Sequence, residues 1–233
     1  MKPSYNSFLI HNGYVVLGMV ENINFPIVKA KKNNDVVIIK ILDGNNKNSD
    51  IQSNILNEIE VNKHIMQNTD YNDNSLLLIP KTILFDDDNA VFFIVMPEMH
   101  GTLFDLPNIT LQKYKKQIIS KILKATSRLH SLNVIHADIN KSNVFWFEIN
   151  DIIHIVLGDF GLSNFSHTNI IRCGDIIHPK LLTNALKNLK QIDIFQLNHM
   201  FDKEHWEFNI STSIDHSIRN LNSNKTTRSG KKY

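Results

Sequence analysis

Two polar clusters on either side of a predicted β-hairpin constrain this chain more than any other feature of its sequence. His136, Asp138 and Asn143 lead into the strand NVFWF. The triplet Asp159-Phe160-Gly161 follows the next strand, IIHIVL. A turn at Asn150-Asp151 is predicted to join the two strands, because Asn and Asp favour the backbone of tight turns. Side chains from the two clusters can therefore act together from either side of one hairpin.

The residue types in these clusters suit phosphoryl transfer. That reaction needs metal ions to neutralise the phosphate oxygens and a group that accepts the proton of the incoming hydroxyl. Mg²⁺ prefers oxygen ligands, which Asn143 and Asp159 can supply. Asp138 lies five residues before Asn143, so a base and a metal ligand share one short loop.

The stretch VIHADINKSNVFWFEINDIIHIVLGDFGLSN resembles the catalytic loop and the D-F-G motif of the protein-kinase-like superfamily. The resemblance implies that Asp138 is the catalytic base, that Asn143 and Asp159 are metal ligands, and that His136 packs against Phe160. The implied cofactors are ATP and Mg²⁺ or Mn²⁺. The DFGLS form, without a tyrosine-kinase signature, favours a minimal serine/threonine protein kinase similar to those of large DNA viruses and bacterial effectors.

Upstream, Ile38-Ile39-Lys40 is similar to the V-A-I-K strand of the same family. The resemblance places Lys40 on the α- and β-phosphates, as a catalytic residue beside Asp138 and Asn143. A buried lysine needs a partner, because an unpaired buried charge is costly. Glu58 shares a predicted helix face with Ile51, Ile55 and Ile65 and Glu60 does not, so Glu58 is the predicted partner.

The segment FFIVMPEMHGTLFDL is similar to a fifth strand that runs into the kinase hinge. By that alignment Met96 is the gatekeeper and Met99 offers backbone groups to adenine. Phe145 is expected to form the floor of the nucleotide pocket, and Val28 and Ile38 its roof.

Farther along, Asp193 in IDIFQL matches the helix aspartate that hydrogen-bonds the catalytic-loop backbone in the family. The helix that carries it is predicted over residues 181–200.

Hydrophobic periodicity predicts strands first and helices later, which indicates an α+β class. Strands are predicted at VVLGMV, PIVKA and VVIIKIL, around Lys81 to Phe85 and at Val91 to Met96. Ser49 and Gln52 are predicted to form a capping box for one helix, and Thr110 to cap a second, longer helix. The expected fold is two-lobed and protein-kinase-like: a small β-rich N-lobe with one main helix (1–98), a shortened helical C-lobe (99–219) and a basic disordered tail (220–233).

Three departures from the family pattern leave other functions open. Glu21, Ile23 and Pro26 stand where the phosphate-covering loop needs glycines. Ala137 replaces an arginine that receives an activation-loop phosphate in many kinases, so activity is predicted not to need that phosphorylation. Lys180 stands where the A-P-E motif has glutamate. The alternatives are a catalytically impaired pseudokinase that acts as a binding scaffold and a small-molecule kinase of the aminoglycoside or choline type.

Composition sets the remaining expectations. The 233 residues carry a formal net charge of +2, which does not by itself indicate nucleic acid or a membrane surface as partner. One cysteine, Cys173, and no long apolar run favour an intracellular, cytoplasmic protein (host-cell cytoplasm for a viral or effector protein). The expected partners are ATP and a protein substrate, with at most a weak nucleic-acid contact by the basic tail.

Overall fold

The computed structural model describes residues 2–21, 25–45, 48–69, 76–166 and 190–203. The chain divides into two compact units, Met1–Met99 and His100–Tyr233. In the described parts, no helix has the length and apolar character needed to cross a membrane. The structure confirms the α+β class, because the first unit is built on a sheet and the second mainly on helices and a hairpin.

The first unit is a five-stranded antiparallel sheet with two helices. In the sheet, the strand order is β1-β2-β3-β5-β4. The strands are β1 (Val15–Glu21), β2 (Ile27–Lys32), β3 (Asp35–Asp43), β4 (Thr82–Asp86) and β5 (Val91–Pro97). The helices are α1 (Pro3–His11) and α2 (Ser49–Asn68). All five strands were predicted, because their β-branched and aromatic residues favour extended backbone.

The two faces of this sheet carry different cores. On one face, Val37, Ile39 and Ile41 of β3 pack with residues of α1. On the other face, Leu42 packs with isoleucines of α2. Both faces of the sheet are therefore covered, and β3 is buried between the two helices as its continuous hydrophobic run predicts.

Helix α1 is a feature that the sequence pattern did not reveal. Tyr5 and Leu9 are buried on the sheet, and the ring of Phe8 stacks on that of Phe93 with centroids 4.8 Å apart. The hydroxyl of Tyr5 and the ammonium of Lys2 both donate to Asp43 Oδ2, at 2.7 and 2.6 Å. The helix is thus fixed to β3 by apolar packing and by a polar contact at its start.

We expect Leu9→Ala to lower the free energy of unfolding by about 2–5 kcal/mol, because Leu9 is fully buried and its removal leaves a cavity. Urea unfolding of the purified chain measures this. The neighbouring Ile10 is 58% exposed, so Ile10→Ala should change the stability by less than about 0.5 kcal/mol. Equal effects of the two substitutions would show that α1 is not anchored as described.

Helix α2 begins differently from the predicted capping box. The N-cap is Asn48, whose side chain accepts from the backbone N–H of Asp50 at 2.9 Å. Ser49 is already helical, and the Gln52 side chain donates to the Gly44 carbonyl. The capping-box prediction was wrong because an Asx cap one residue earlier satisfies a free backbone donor first.

The second unit combines two described helices with short strands. The helices are α3 (Asn108–Ser131) and α4 (Lys190–Lys203). One sheet has the order β6-β8-β9, with β6 (Gly101–Thr102), β8 (Val144–Ile149) and β9 (Ile152–Leu157). A second sheet pairs β7 (Val134–Ile135) with β10 (Asn164–Phe165).

The predicted hairpin is present. Strands β8 and β9 pair from Val144↔Leu157 to Ile149↔Ile152. Asn150 and Asp151 both have positive φ, 51° and 61°, as the two-residue turn of a right-twisted hairpin requires.

The predicted start of α3 needs correction, and the predicted start of α4 lies outside the described residues. Helix α3 begins at Asn108, with Pro107 as N-cap, so Thr110 lies within the helix and does not cap it. Pro107 fixes the backbone for an earlier start. Of the helix predicted over 181–200, residues 181–189 lie outside the described residues, as do the basic tail and the CGDIIHPK segment with Lys180.

Candidate active site

In the first unit, Lys40 and Glu58 form a buried ion pair. Lys40 Nζ lies 2.7 Å from Glu58 Oε1, and the two side chains are only 13% and 6% exposed. Lys40 extends from β3 and Glu58 from the face of α2 that carries buried Ile55 and Ile65, whereas Glu60 is exposed. The predicted choice of Glu58 over Glu60 is confirmed. The helix periodicity identified Glu58 because the buried side chains of α2 lie on one face of the helix.

The strand register determines which side chains share the face of Lys40. Ile27 in β2 lies directly opposite Lys40, whereas Val28 lies opposite Ile39. Directly opposite residues in an antiparallel pair point to the same side of the sheet. Ile27 and Ile38 therefore lie on the face of Lys40.

The predicted pairing of Val28 with Ile38 as one apolar roof is wrong. Val28 is buried on the other face, in the core beneath α1. Because side chains alternate along a strand, an alignment shifted by one residue moves every side chain to the opposite face. Sequence reasoning did not identify Ile27 as the β2 side chain on the face of Lys40, because only the β2–β3 register reveals it.

Of the other residues aligned with the phosphate-covering loop and the hinge, Glu21, Pro26, Met96 and Met99 belong to the described part of the first unit. Pro26 precedes β2, and its carbonyl accepts from the N–H of Ile41 at 2.9 Å. Glu21 ends β1, and Ile23 lies outside the described residues. Met96 lies opposite Ile38 in β5, and both Met96 and Met99 are half-buried.

In the second unit, Asp138 and Asn143 contact each other directly. Asn143 Nδ2 donates to the Asp138 carbonyl at 2.9 Å and to Asp138 Oδ2 at 2.8 Å. A single 3₁₀ turn, Lys141–Asn143, places Asn143, and the Asn140 side chain caps this turn by accepting from Ser142 N–H at 2.8 Å. Asn140 therefore shapes the loop, a role consistent with the capping preference of asparagine.

His136 links this loop to the end of the hairpin. Its Nε2 lies 2.9 Å from the Gly158 carbonyl, and its Nδ1 accepts from the Asp138 N–H at 3.3 Å. Together these bonds require the tautomer with hydrogen on Nε2. The ring lies 5.6 Å from that of Phe160, edge to face, so the predicted packing of His136 on Phe160 is present.

Asp193 of α4 holds the backbone of the same loop. Its carboxylate accepts from the N–H groups of His136, at 3.0 Å, and Ala137, at 2.8 Å. It also lies 2.8 Å from Nε2 of the buried His130. The predicted contact of Asp193 with the catalytic-loop backbone is confirmed.

Burial by itself would raise the pKa of Asp193, but hydrogen bonds from His130 and from the Ala137 N–H outweigh it and lower the pKa. The ionised form therefore stabilises the fold. This stability is present above the unfolded-state pKa and is lost as the pH falls through the lower pKa of the folded state.

We expect Asp193→Asn to lower the free energy of unfolding at pH 7 by about 3 kcal/mol, because it removes a buried acceptor of charge-assisted hydrogen bonds. The difference from the parent should shrink as the pH falls below the unfolded-state pKa of aspartate, about 4, because the unfolded parent then binds a proton that the folded Asp193 carboxylate does not. Urea unfolding over that pH range measures both. The exposed Asp35, paired with Lys81 on the surface, provides the control variant Asp35→Asn, with little expected effect. A difference that is constant with pH would contradict the assignment.

Asp159 and Phe145 complete the predicted set in this unit. Asp159 is exposed, has φ of 59°, and accepts from the Gly161 N–H at 3.3 Å. The Gly158 N–H donates to the Asn143 carbonyl at 2.9 Å, which ties the segment before Asp159 to Asn143. Phe145 is half-buried in β8, opposite Val156.

The donor set fits a hard divalent cation. Both hydrogen bonds of the Asn143 side chain to Asp138 use Nδ2, so its oxygen Oδ1 is the atom that can face a metal. Asp159 adds an exposed carboxylate on the neighbouring segment. Oxygen ligands from one amide and one carboxylate, with waters and phosphate oxygens, are the usual environment of Mg²⁺ in nucleotide sites.

A buried Lys–Glu pair on a β-sheet, together with an Asp–Asn loop before a hairpin that ends in Asp-Phe-Gly, defines a protein kinase domain. The family model for the protein kinase domain matches residues 25–197. The chain belongs to this family.

Three relatives illustrate the similarity. A Plasmodium falciparum protein named "Probable serine/threonine-protein kinase 2" is 27% identical over 201 residues, 79% of this chain. Myosin light chain kinase A of Dictyostelium discoideum is 23% identical over 168 residues, 68% of this chain. A protein of Acanthamoeba polyphaga mimivirus that carries a serine/threonine-protein kinase name is 26% identical over 137 residues, 55% of this chain. The matched regions span 38%, 54% and 44% of those relatives.

Proposed function

We propose that this chain is an ATP-dependent protein kinase that transfers the γ-phosphate of Mg-ATP to a serine or threonine hydroxyl of a protein. The observation that carries the proposal is the Asp138–Asn143 contact. Asn143 holds the Asp138 carboxylate with its amide nitrogen and keeps its amide oxygen for a metal. One short loop thus combines a fixed base with a metal ligand, which phosphoryl transfer requires.

We assign the following roles to this chain's residues. Asp138 orients the incoming hydroxyl and accepts its proton. Lys40, oriented by Glu58, binds the α- and β-phosphates. Asn143 and Asp159 bind the metal, which neutralises charge on the phosphate oxygens when it is bound.

We assign the adenine contacts to Ile38, to the Met99 backbone and to Phe145, with Ile27 in the place predicted for Val28. The unit Met1–Met99 then serves as the N-lobe and the unit that begins at His100 as the C-lobe. ATP and a protein substrate are the partners of this activity.

The names of two relatives, from Plasmodium falciparum and from the mimivirus, contain the words serine/threonine-protein kinase and support a serine or threonine acceptor. The pseudokinase alternative rests on Pro26, which lacks an amide donor, and on Glu21 and Ile23 in place of glycines. Against it stands the intact Lys40–Glu58 pair and the direct Asp138–Asn143 contact.

The deciding experiment offers several acceptors in parallel. The purified chain is incubated with Mg²⁺ and γ-labelled ATP, with casein, histone and myelin basic protein in one set and choline and kanamycin in the other. We expect label on protein serine or threonine and none on the small alcohols. Label on choline or kanamycin alone would establish the small-molecule kinase. A folded chain that binds ATP but transfers phosphate to none of these acceptors would establish the pseudokinase.

A further inference from the structure

Gln196 of α4 contacts the backbone on both sides of the proposed catalytic base. Its Nε2 donates to the Ala137 carbonyl at 2.8 Å, and its Oε1 accepts from the Ile139 N–H at 2.9 Å. The side chain is 1% exposed, and Ala137 and Ile139 are equally buried. The chemistry of the two partners fixes the orientation of the amide, because only its nitrogen can donate.

These two bonds restrain the residue between them. The Ala137 carbonyl belongs to the peptide unit before Asp138, and the Ile139 N–H belongs to the unit after it. Peptide units are planar, so the φ and ψ of Asp138 are set by how these two planes are turned. A side chain that holds both planes therefore fixes the direction in which the Asp138 carboxylate leaves the backbone.

Helix α4 extends this restraint over four successive peptide units. Asp193 holds the N–H groups of His136 and Ala137, and Gln196 lies three residues later, on the same side of the helix. Ala137 has φ of 63°, a left-handed conformation that costs a residue with a side chain about 1–2 kcal/mol. Bonds from α4 to both its N–H and its carbonyl keep Ala137 in that conformation.

We propose that Gln196 is a positioning residue that fixes the backbone of Asp138 for proton acceptance. The proposal rests on the proposed function of Asp138. It explains how this loop is held in a chain in which Ala137 supplies no guanidinium for a phosphorylated segment. Within the described residues, the hydrogen bonds of the Gln196 side chain go to the loop, so its loss should change the turnover step and leave the contacts assigned to ATP in place.

The test compares Gln196→Met, which conserves side-chain volume and removes both bonds, with Gln117→Met. Gln117 is an exposed glutamine of α3 that donates to the Ile153 carbonyl of the same unit at 3.2 Å. With the best protein acceptor, we expect Gln196→Met to lower kcat about tenfold and to change KM for ATP less than about twofold. Gln117→Met should match the parent. All rates are measured well below the Tm of each variant.

Gln196→Glu is the second variant, because it keeps the length of the side chain and the acceptor for the Ile139 N–H but replaces the donor to the Ala137 carbonyl with a second oxygen. Two acceptors then face each other, so its kcat should be no higher than that of Gln196→Met. A kcat of Gln196→Met within about twofold of the parent, or a loss confined to KM, would overturn the proposal.

Amide hydrogen exchange tests the restraint without using activity. In Gln196→Met the Ile139 amide should exchange at least about fivefold faster than in the parent, while the amides of β8 and β9 keep their rates. Unchanged exchange at Ile139 would refute the restraint whatever the kinetics. An inactive parent would refute the proposed function instead, and the exchange result would still decide the role of Gln196 in the loop.

Discussion

Asp138→Asn should reduce kcat for phosphate transfer by about 10²–10⁴-fold and leave KM for ATP nearly unchanged. The substitution keeps the shape of the side chain and removes the group that accepts the proton of the incoming hydroxyl. The contact with Asn143 Nδ2 survives through the remaining amide oxygen. The loop therefore keeps its structure, and the loss is chemical.

The matched control for this prediction is Asp151→Asn, which makes the same change at an exposed residue of the β8–β9 turn. Asp151 has φ of 61°, a conformation that asparagine also accepts. Steady-state rates with the best protein acceptor measure both variants, and thermal unfolding shows that both are folded. A folded Asp138→Asn chain with the kcat of the parent would contradict the assignment of Asp138 as the catalytic base.

Lys40→Met should lower kcat/KM by at least about 10²-fold, because it removes a fixed positive charge assigned to the phosphates. It should also lower the free energy of unfolding by about 3 kcal/mol, since the Glu58 carboxylate, 6% exposed, loses the ammonium 2.7 Å away. The single variant alone cannot separate these two effects.

The double variant Lys40→Met/Glu58→Gln separates them. Removing the Glu58 carboxylate as well removes the unpaired charge that Lys40→Met leaves at this site, so most of the lost stability should return while activity stays lost. Lys81→Met is the control, because Lys81 pairs with Asp35 on the surface and such pairs contribute about 0–1 kcal/mol. Activity that recovers together with stability in the double variant would show that Lys40 has only a structural role.

The sequence alone predicted the features that depend on local pattern. The hairpin followed from an Asn-Asp turn between two alternating strands, and Glu58 followed from the helix face that it shares with buried isoleucines. In both cases the deciding residues lie within a few positions of each other, where strand and helix periodicity determine orientation.

Apart from the two misplaced helix caps, the errors arose where contacts between residues far apart in the sequence determine the structure. Val28 was placed on the wrong face because a single-residue shift in the alignment of β2 reverses every side chain, and only the pairing with β3 fixes that register. Helix α1 is short and rich in polar residues, so its sequence shows no clear apolar periodicity. The two residues that pack it on the sheet, Tyr5 and Leu9, therefore gave no helix prediction. Gln196 gave no signal, because its partners are 57 and 59 residues away along the chain.

The most direct test of the proposed function follows the position of the label in ATP. The parent chain and a protein acceptor are incubated with Mg²⁺ and ATP labelled either at the γ- or at the α-phosphate, with and without EDTA. We predict phosphoserine or phosphothreonine labelled from the γ-position only, and no label once EDTA has removed the metal. A folded chain that transfers no γ-phosphate to any protein acceptor with Mg²⁺ or Mn²⁺ would contradict the proposed kinase activity.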